Sequence, residues 1–496
     1  MPFTQAIGRR LAAIYIAFNV SSSMPRGSTS PARDSDRKDV RSAGHPDDAI
    51  SGLGGPRRTV AIASVLAAMV LVVLDAAVAN VALPTIARSL HVTAAMSVWV
   101  VTAYQTALLM ALLPCAALGE SLGYRRVFRA GVALFTGASV LCALSPSLSW
   151  LVAARFLQGL GGAAVMALGV ALLRVVVPHR QLGTAIGWNA LAVALSSAAG
   201  PAIGAAVLSA ANWHWLFIVD LPVEVVVLLA TRALPDVGGT ARRLDLFSVS
   251  LNAGAFASLV IGTELLPTRP VLAAVLLAAA TLELLALVRR EMPKEAPLIP
   301  FDLLRVNSFR FSVIASACCF AGQTASMVAL PFYLQHGLGQ DTLMAGLYMT
   351  AWPLTVAIAA PFAGRLADRV PTAWLGAAGG LCLATGLGAA ALWPLKGDTL
   401  LLVPLTMLCG LGFGLFNVAN NRNMFLSAPN ERSGAAGGMQ GTARLFGQTA
   451  GAVIMALLFT LTSPDAAPQI GLGIGAMLTF AAGLVSTLRV TPVSPR

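Results

Sequence analysis

From about residue 59 onward the sequence alternates between long apolar blocks and short polar turns, and the blocks keep a nearly constant length. The hydrocarbon core of a bilayer is about 30 Å thick, which an α-helix crosses with about 17–25 mostly apolar residues. Fourteen segments meet that length: 59–82, 97–118, 127–145, 150–173, 183–208, 215–231, 244–263, 271–288, 309–334, 343–363, 373–393, 400–421, 435–461 and 469–488. Runs such as Val60 to Val73 lack the period-two alternation of a membrane β-barrel strand. The pattern predicts an all-α polytopic membrane protein.

Composition strengthens that reading. Of 496 residues, 57% are hydrophobic and 11% charged, with a mean hydropathy of +0.78, against about 25% charged in soluble domains. A single aqueous core stops growing beyond about 250–300 residues, whereas helices in lipid satisfy their own backbone groups. A soluble enzyme is therefore excluded. Residues 1–57 differ: they are rich in Ser, Pro, Arg and Asp and are expected to form a disordered cytoplasmic tail. Leu11 to Val20, after Arg9 and Arg10, is too short for a span and lacks a cleavage pattern, and Met24 offers an alternative start. The six cysteines (Cys115, Cys142, Cys318, Cys319, Cys382, Cys409) show no metal-ligand spacing and read as packing filler; no cofactor or metal is expected.

The net charge of +12 would suggest nucleic acid in a soluble protein, but its distribution points elsewhere. Cytoplasmic loops of membrane proteins carry an excess of Arg and Lys. With the N-terminus inside, 28 of the 33 basic residues fall in the tails and inner loops. The outer loops hold Arg88, Arg269 and Lys396, while Arg155 and Arg444 lie within segments. The charge is thus topological, with both termini cytoplasmic and no nucleic-acid partner. The excess of Arg over Lys suggests a GC-rich bacterial genome, hence an inner membrane.

The turn after the second segment, Gly119 to Arg126, is echoed after the tenth by Gly364-Arg365-Leu366-Ala367-Asp368-Arg369. Setting 244–263 and 271–288 aside as an inserted hairpin makes the tenth segment the second of another group of six. The simplest plan is a tail (1–57), a six-helix bundle (58–232), an inserted transmembrane hairpin with linker (233–300) and a second six-helix bundle (301–496).

An ionisable side chain inside a span costs at least ~2.5–3.5 kcal/mol, so each needs a partner or a polar cavity. At 1.5 Å per residue, Asp75 lies roughly 22 Å from the inner end of its segment and Arg155 roughly 8 Å from the outer end of its own. They reach similar depth and can meet, either as a proton-titrating pair or as a static ion pair. Gln158 and Gly162 share the face of Arg155, which suits a polar lumen or close packing. Ser196, Gly200 and Gly204 form a small-residue ridge with Pro201, suited to close helix approach. Gln440, Arg444 and Gln448 make an i, i+4, i+8 stripe facing either substrate or a neighbouring helix. Asp220 and Glu224 sit on one face about 6 Å apart along the axis, forming either a site that exchanges a proton for a lipophilic cation or merely an interfacial pair. Asn417, Asn420, Asn421 and Asn423 read as interfacial, and Glu283 as paired or snorkelling on the hairpin.

Several stretches resemble the major facilitator superfamily, and within it the fourteen-helix drug:proton antiporter branch. Leu74 to Pro84 resembles the first-helix signature and Ala116 to Arg126 the loop motif after the second helix. Arg155-Phe156-Leu157-Gln158-Gly159 resembles the fourth-helix motif, Gly200 to Gly204 the antiporter motif, and Trp213 to Phe217 with Pro222 the start of helix six. The chain departs at Ala116 and Glu120, where Gly and Asp are preferred, and at Val370-Pro371 in the second copy. His214, Asp220 and Glu224 stand where Arg, Asn and Gly are common. The resemblance implies that Asp75 couples protons with help from Arg155, and that Gly200, Pro201 and Gly204 seal the inner half against proton leak. It also implies that Glu120, Gly123, Arg125, Arg126 and Asp368 gate the inner face. A monomeric exporter exchanging small molecules (lipophilic, cationic drugs or biocides) for protons by alternating access is expected, with Asp220, Glu224, Gln158, Arg444 and Gln448 contacting substrate. The rivals are a carrier of one endogenous metabolite and a non-transporting sensor or scaffold, the latter disfavoured because no large soluble output domain is present.

Overall fold

The computed structural model describes residues 55–177, 179–236, 245–292, 303–393, 399–428, 433–463 and 465–489. The expected tail, except Gly55 to Arg57, lies outside them, as do Arg242, Arg243, Lys294, Lys396, Arg432 and Arg496. The helices of the first half are α1 (Gly55–Ser89), α2 (Ala94–Leu122), α3 (Tyr124–Ala143), α4 (Leu148–Val176), α5 (His179–Ala210), α6 (Trp215–Ile218) and α7 (Leu221–Ala230). A hairpin follows, α8 (Leu246–Leu265) and α9 (Pro270–Glu291). The second half comprises α10 (Asn307–Phe332), α11 (Thr342–Ala367), α12 (Thr372–Ala391), α13 (Leu402–Leu426), α14 (Ser433–Leu461) and α15 (Ala466–Thr487).

Thirteen of these are long and apolar enough to cross a membrane. The remaining predicted segment, 215–231, is realised in two pieces, α6 and α7. Pro222 lacks the N–H that would bond the Ile218 carbonyl, so the hydrogen-bond ladder breaks there. Val219 and Asp220 stay in the right-handed helical region, so the backbone continues in one sense through the break. Side-chain caps start other helices: Thr93 accepts from the Met96 N–H, Ser147 from Trp150 and Asp341 from Met344. Each satisfies one of the N–H groups that a helix leaves unpaired at its start.

α2 packs on α4, α3 on α4 and α1 on α5 in the first bundle; α12 packs on α13 and α15, and α10 on α14 and α15, in the second. The halves meet where α5 packs on α11 and α2 on α14. At Gly346 of α11 the approach is close: a Cβ there would overlap Ala205 and lie 2.7 Å from the Pro201 carbonyl of α5. The hairpin lies against both halves. Asn252 donates to the Met110 carbonyl of α2 at 2.9 Å, and Phe256 meets Phe446 of α14 with ring centroids 6.5 Å apart. Glu283 of α9 rests against Gly254 of α8, whose missing side chain leaves room for the carboxylate. The base of the hairpin is tied by Arg290 and Asp245 at 2.9 Å.

Candidate functional site: a buried acid network in the first bundle

The helix order places α1, α3, α4 and α7 side by side, and each contributes a polar residue to one buried cluster. The Arg155 guanidinium lies 2.6 Å from Asp75 Oδ2, and both side chains are almost wholly shielded. The two residues expected to reach similar depth do meet. Arg155 also donates to Gln158 Oε1 at 2.6 Å and to the Val100 carbonyl at 3.3 Å. Its guanidinium carbon sits 4.2 Å from the centroid of the Tyr104 ring, a cation–π contact. Tyr104 in turn donates its hydroxyl to the Val72 carbonyl at 3.2 Å.

Gln158 extends the network. Its amide donates to Asp75 Oδ1 at 3.1 Å and to Ser139 Oγ on α3 at 2.9 Å. Ser139 is 2.9 Å from Glu224 Oε1 on α7. Asp75 therefore has both carboxylate oxygens hydrogen-bonded, as an ionised acid in a low-dielectric site requires. Gln158, expected to contact substrate, is here a bridge between two acids.

Glu224 turns inward while Val223 and Val226 of the same helix are exposed, and α7 packs against α1 and α3 of its own bundle. Among the described residues no hydrogen bond joins the side chains of Asp220 and Glu224. Asp220, half-buried, instead accepts the Glu224 backbone N–H through its main-chain carbonyl at 2.9 Å. Spacing alone put the two acids on one face; the packing of α7 gives Glu224 a different partner. Ser139, Tyr104 and Cys142, whose thiol lies 3.7 Å from Gln158 Oε1, were not legible as site residues. Single small polar residues in an apolar helix carry no periodic signal.

Gly447 and Gly451 of α14 face α10, whereas Gly441 faces Leu112 of α2. At 100° per residue the stripe Gln440–Arg444–Gln448 falls on the surface between those two contacts. Gln440 donates to Asn421 Oδ1 at 3.0 Å, and Asn421 to Asn417 Oδ1 at 3.1 Å. The small-residue ridge packs on α1: a Cβ at Gly200 would overlap that of Ala77, and one at Gly204 would lie 3.3 Å from Val78.

In the loop motif, Gly123 adopts φ 96° and separates α2 from α3, a conformation suited to glycine. Arg125 donates to the Arg232 carbonyl at 3.2 Å, while Glu120 and Arg126 are exposed. Asp368 pairs with Arg422 at the end of α13. The Arg125–Arg232 contact stays within the first half and the Asp368–Arg422 pair within the second.

A helical membrane protein of two six-helix bundles, with an ion pair buried in one of them, defines a polytopic transporter. The chain belongs to the Major Facilitator Superfamily, whose family model matches residues 65–452 and 312–496. It is 44% identical over 447 residues to "Uncharacterized transporter YebQ" of Escherichia coli K12, spanning 89% of this chain and 97% of that protein. It is 29% identical to "Riboflavin transporter RibZ" of Clostridioides difficile, over 75% of this chain and 81% of that one. "Multidrug resistance protein Stp" of Mycobacterium tuberculosis is 31% identical, over 78% and 73%.

Proposed function

We propose that the protein is a proton-coupled exporter of lipophilic compounds, working by alternating access as a monomer in a bacterial inner membrane with both termini cytoplasmic. The observation that carries this reading is the Asp75–Arg155 ion pair, buried in a spanning bundle with both carboxylate oxygens hydrogen-bonded. An acid of this kind in a membrane helix is a functional site by default. The multidrug-resistance relative supports a drug substrate, and the riboflavin relative supports the rival of one metabolite. Asp220 and the stripe Gln440–Arg444–Gln448 are the proposed substrate contacts; Arg444, a fixed positive charge, limits how far cations are favoured.

A deletion strain with plasmid complementation separates the two. The expected result is lower tolerance to ethidium, a quaternary ammonium biocide and a neutral lipophilic drug, restored by the plasmid, with Asp220→Asn selectively losing tolerance to the two cations. Unchanged tolerance together with altered riboflavin or other metabolite in the medium favours the metabolite carrier. Equal loss for all three drugs in Asp220→Asn removes that residue from cation recognition. For topology, alkaline phosphatase fused after Arg269 is expected to be active and after Arg369 inactive, since the enzyme works only outside the cytoplasm. Activity at both sites, or the reverse, overturns the orientation.

A further inference from the structure

Glu224 is 2% exposed and its two oxygens stand in different surroundings. Oε1 is hydrogen-bonded to Ser139, whereas Oε2 has no partner. The residue lines a small cavity of about 10 Å³ whose other walls include Leu71, Val72, Val132, Phe135 and Thr136, whose hydroxyl, like Oε2, makes no hydrogen bond. Such a space holds one water at most. An ionised carboxylate there would hold a formal charge against a mostly apolar wall, with the hydroxyls of Ser139 and Thr136 beside it, which costs more than a neutral acid.

The charges facing Glu224 come from every neighbouring element. Asp75 stands on α1 and Arg155 on α4, with the neutral groups Tyr104 on α2 and Thr136 and Cys142 on α3; Asp220 precedes it on its own helix. The one guanidinium is already paired with Asp75. With Asp75 and Arg155 ionised, a neutral Glu224 leaves the three groups at zero net charge, and an ionised one leaves them at minus one.

Ser139 fits both states of the acid. Its oxygen accepts from Gln158, and its single proton has two acceptors in reach, Glu224 Oε1 at 2.9 Å and the Phe135 carbonyl at 3.1 Å. Opposite an ionised Glu224 the hydroxyl donates to it; opposite a protonated one it donates to Phe135 and accepts from the acid.

We propose that Glu224 is a second proton-binding site of the transporter, joined to Asp75 through Ser139 and Gln158, so that two acids and one guanidinium hold one proton in this conformation. This rests on Asp75 being the coupling acid. Neutrality then allows one of the two carboxyls, not both, to be protonated beside Arg155.

Infrared spectroscopy of the purified full chain in phosphatidylethanolamine–phosphatidylglycerol bilayers tests this without any transported compound. At neutral pH, the difference between wild type and Glu224→Gln is expected to contain the C=O stretch of a protonated carboxylic acid. Asp75→Asn is expected to lose the same band, because Arg155 then stands without an anion and Glu224 ionises to balance it. Ser139→Ala is expected to keep the band at a shifted frequency, a check that survives if Glu224→Gln fails to fold. No band in the Glu224 difference spectrum, a band undiminished in Asp75→Asn, or one unmoved in Ser139→Ala overturns the proposal. A missing band leaves the role of Asp75 standing; intact substrate-driven proton flux in Asp75→Asn removes that role instead.

Discussion

Asp75→Asn is expected to abolish substrate-driven proton movement while the protein remains in the membrane. In everted vesicles energised to an acidic interior, addition of a transported drug should release part of the pH gradient through wild-type protein. Through the variant the signal should fall to that of vesicles lacking the protein. The amide keeps the size of the carboxylate and an oxygen for Arg155, but it cannot take up a proton. It also leaves the guanidinium without its anion, and loss of one member of a buried ion pair costs about 3–5 kcal/mol. Thermal unfolding in detergent should therefore shift downward, and membrane levels must be matched before fluxes are compared. Proton release equal to wild type at matched levels would refute the coupling role. Asp75→Glu separates chemistry from stability: it retains a titrating carboxyl on a longer arm, so partial flux is expected there and none in the amide.

The fold was legible because lipid imposes one constraint repeatedly: each crossing must be a helix of about the same length, and the basic residues gather at every second reversal. Segment 215–231 shows the limit of that logic. Hydropathy does not register the N–H that Pro222 lacks, so the break between α6 and α7 follows from backbone chemistry instead. The Asp75–Arg155 pair was legible from depth alone, since both positions could be counted from helix ends. Depth says nothing of rotation, however. Whether Glu224 turns toward Asp220 or toward Ser139 depends on which face of α7 packs on α3, and valines at 223, 225 and 226 cannot be told from core valines in sequence. Gln158 was visible as a polar residue on the face of Arg155, but its bridging role needed α3 in place. The loop motifs after α2 and α11 were legible as sequence, while the partners of Arg125 and Asp368, Arg232 and Arg422, lie 107 and 54 residues away along the chain.

Gly200→Ala is expected to impair transport far more than Gly204→Ala, although both add one methyl group to the same ridge. At Gly200 the new Cβ would overlap that of Ala77, a short side chain fixed to the backbone of α1, so the helices must part. At Gly204 it would meet the end of the Val78 side chain at 3.3 Å, which a small shift relieves. Overpacking of this kind costs about 1–3 kcal/mol where the neighbours cannot give way. Ala77 is two residues from Asp75, so a displaced α1 also moves the carboxylate whose oxygen now lies 2.6 Å from Arg155. Drug-driven proton release should drop at least about tenfold, equivalent to ~1.4 kcal/mol of lost stabilisation, for Gly200→Ala and stay near wild type for Gly204→Ala. If the ridge also seals the inner half against protons, as the family resemblance implies, the pH gradient should decay faster through Gly200→Ala even without drug. The double variant Ala77→Gly with Gly200→Ala removes the overlap while keeping the added methyl, and recovery of flux in it identifies the α1–α5 contact as the cause. Flux still lost in the double variant, or equal loss for both single variants, would show that this contact does not set the position of Asp75.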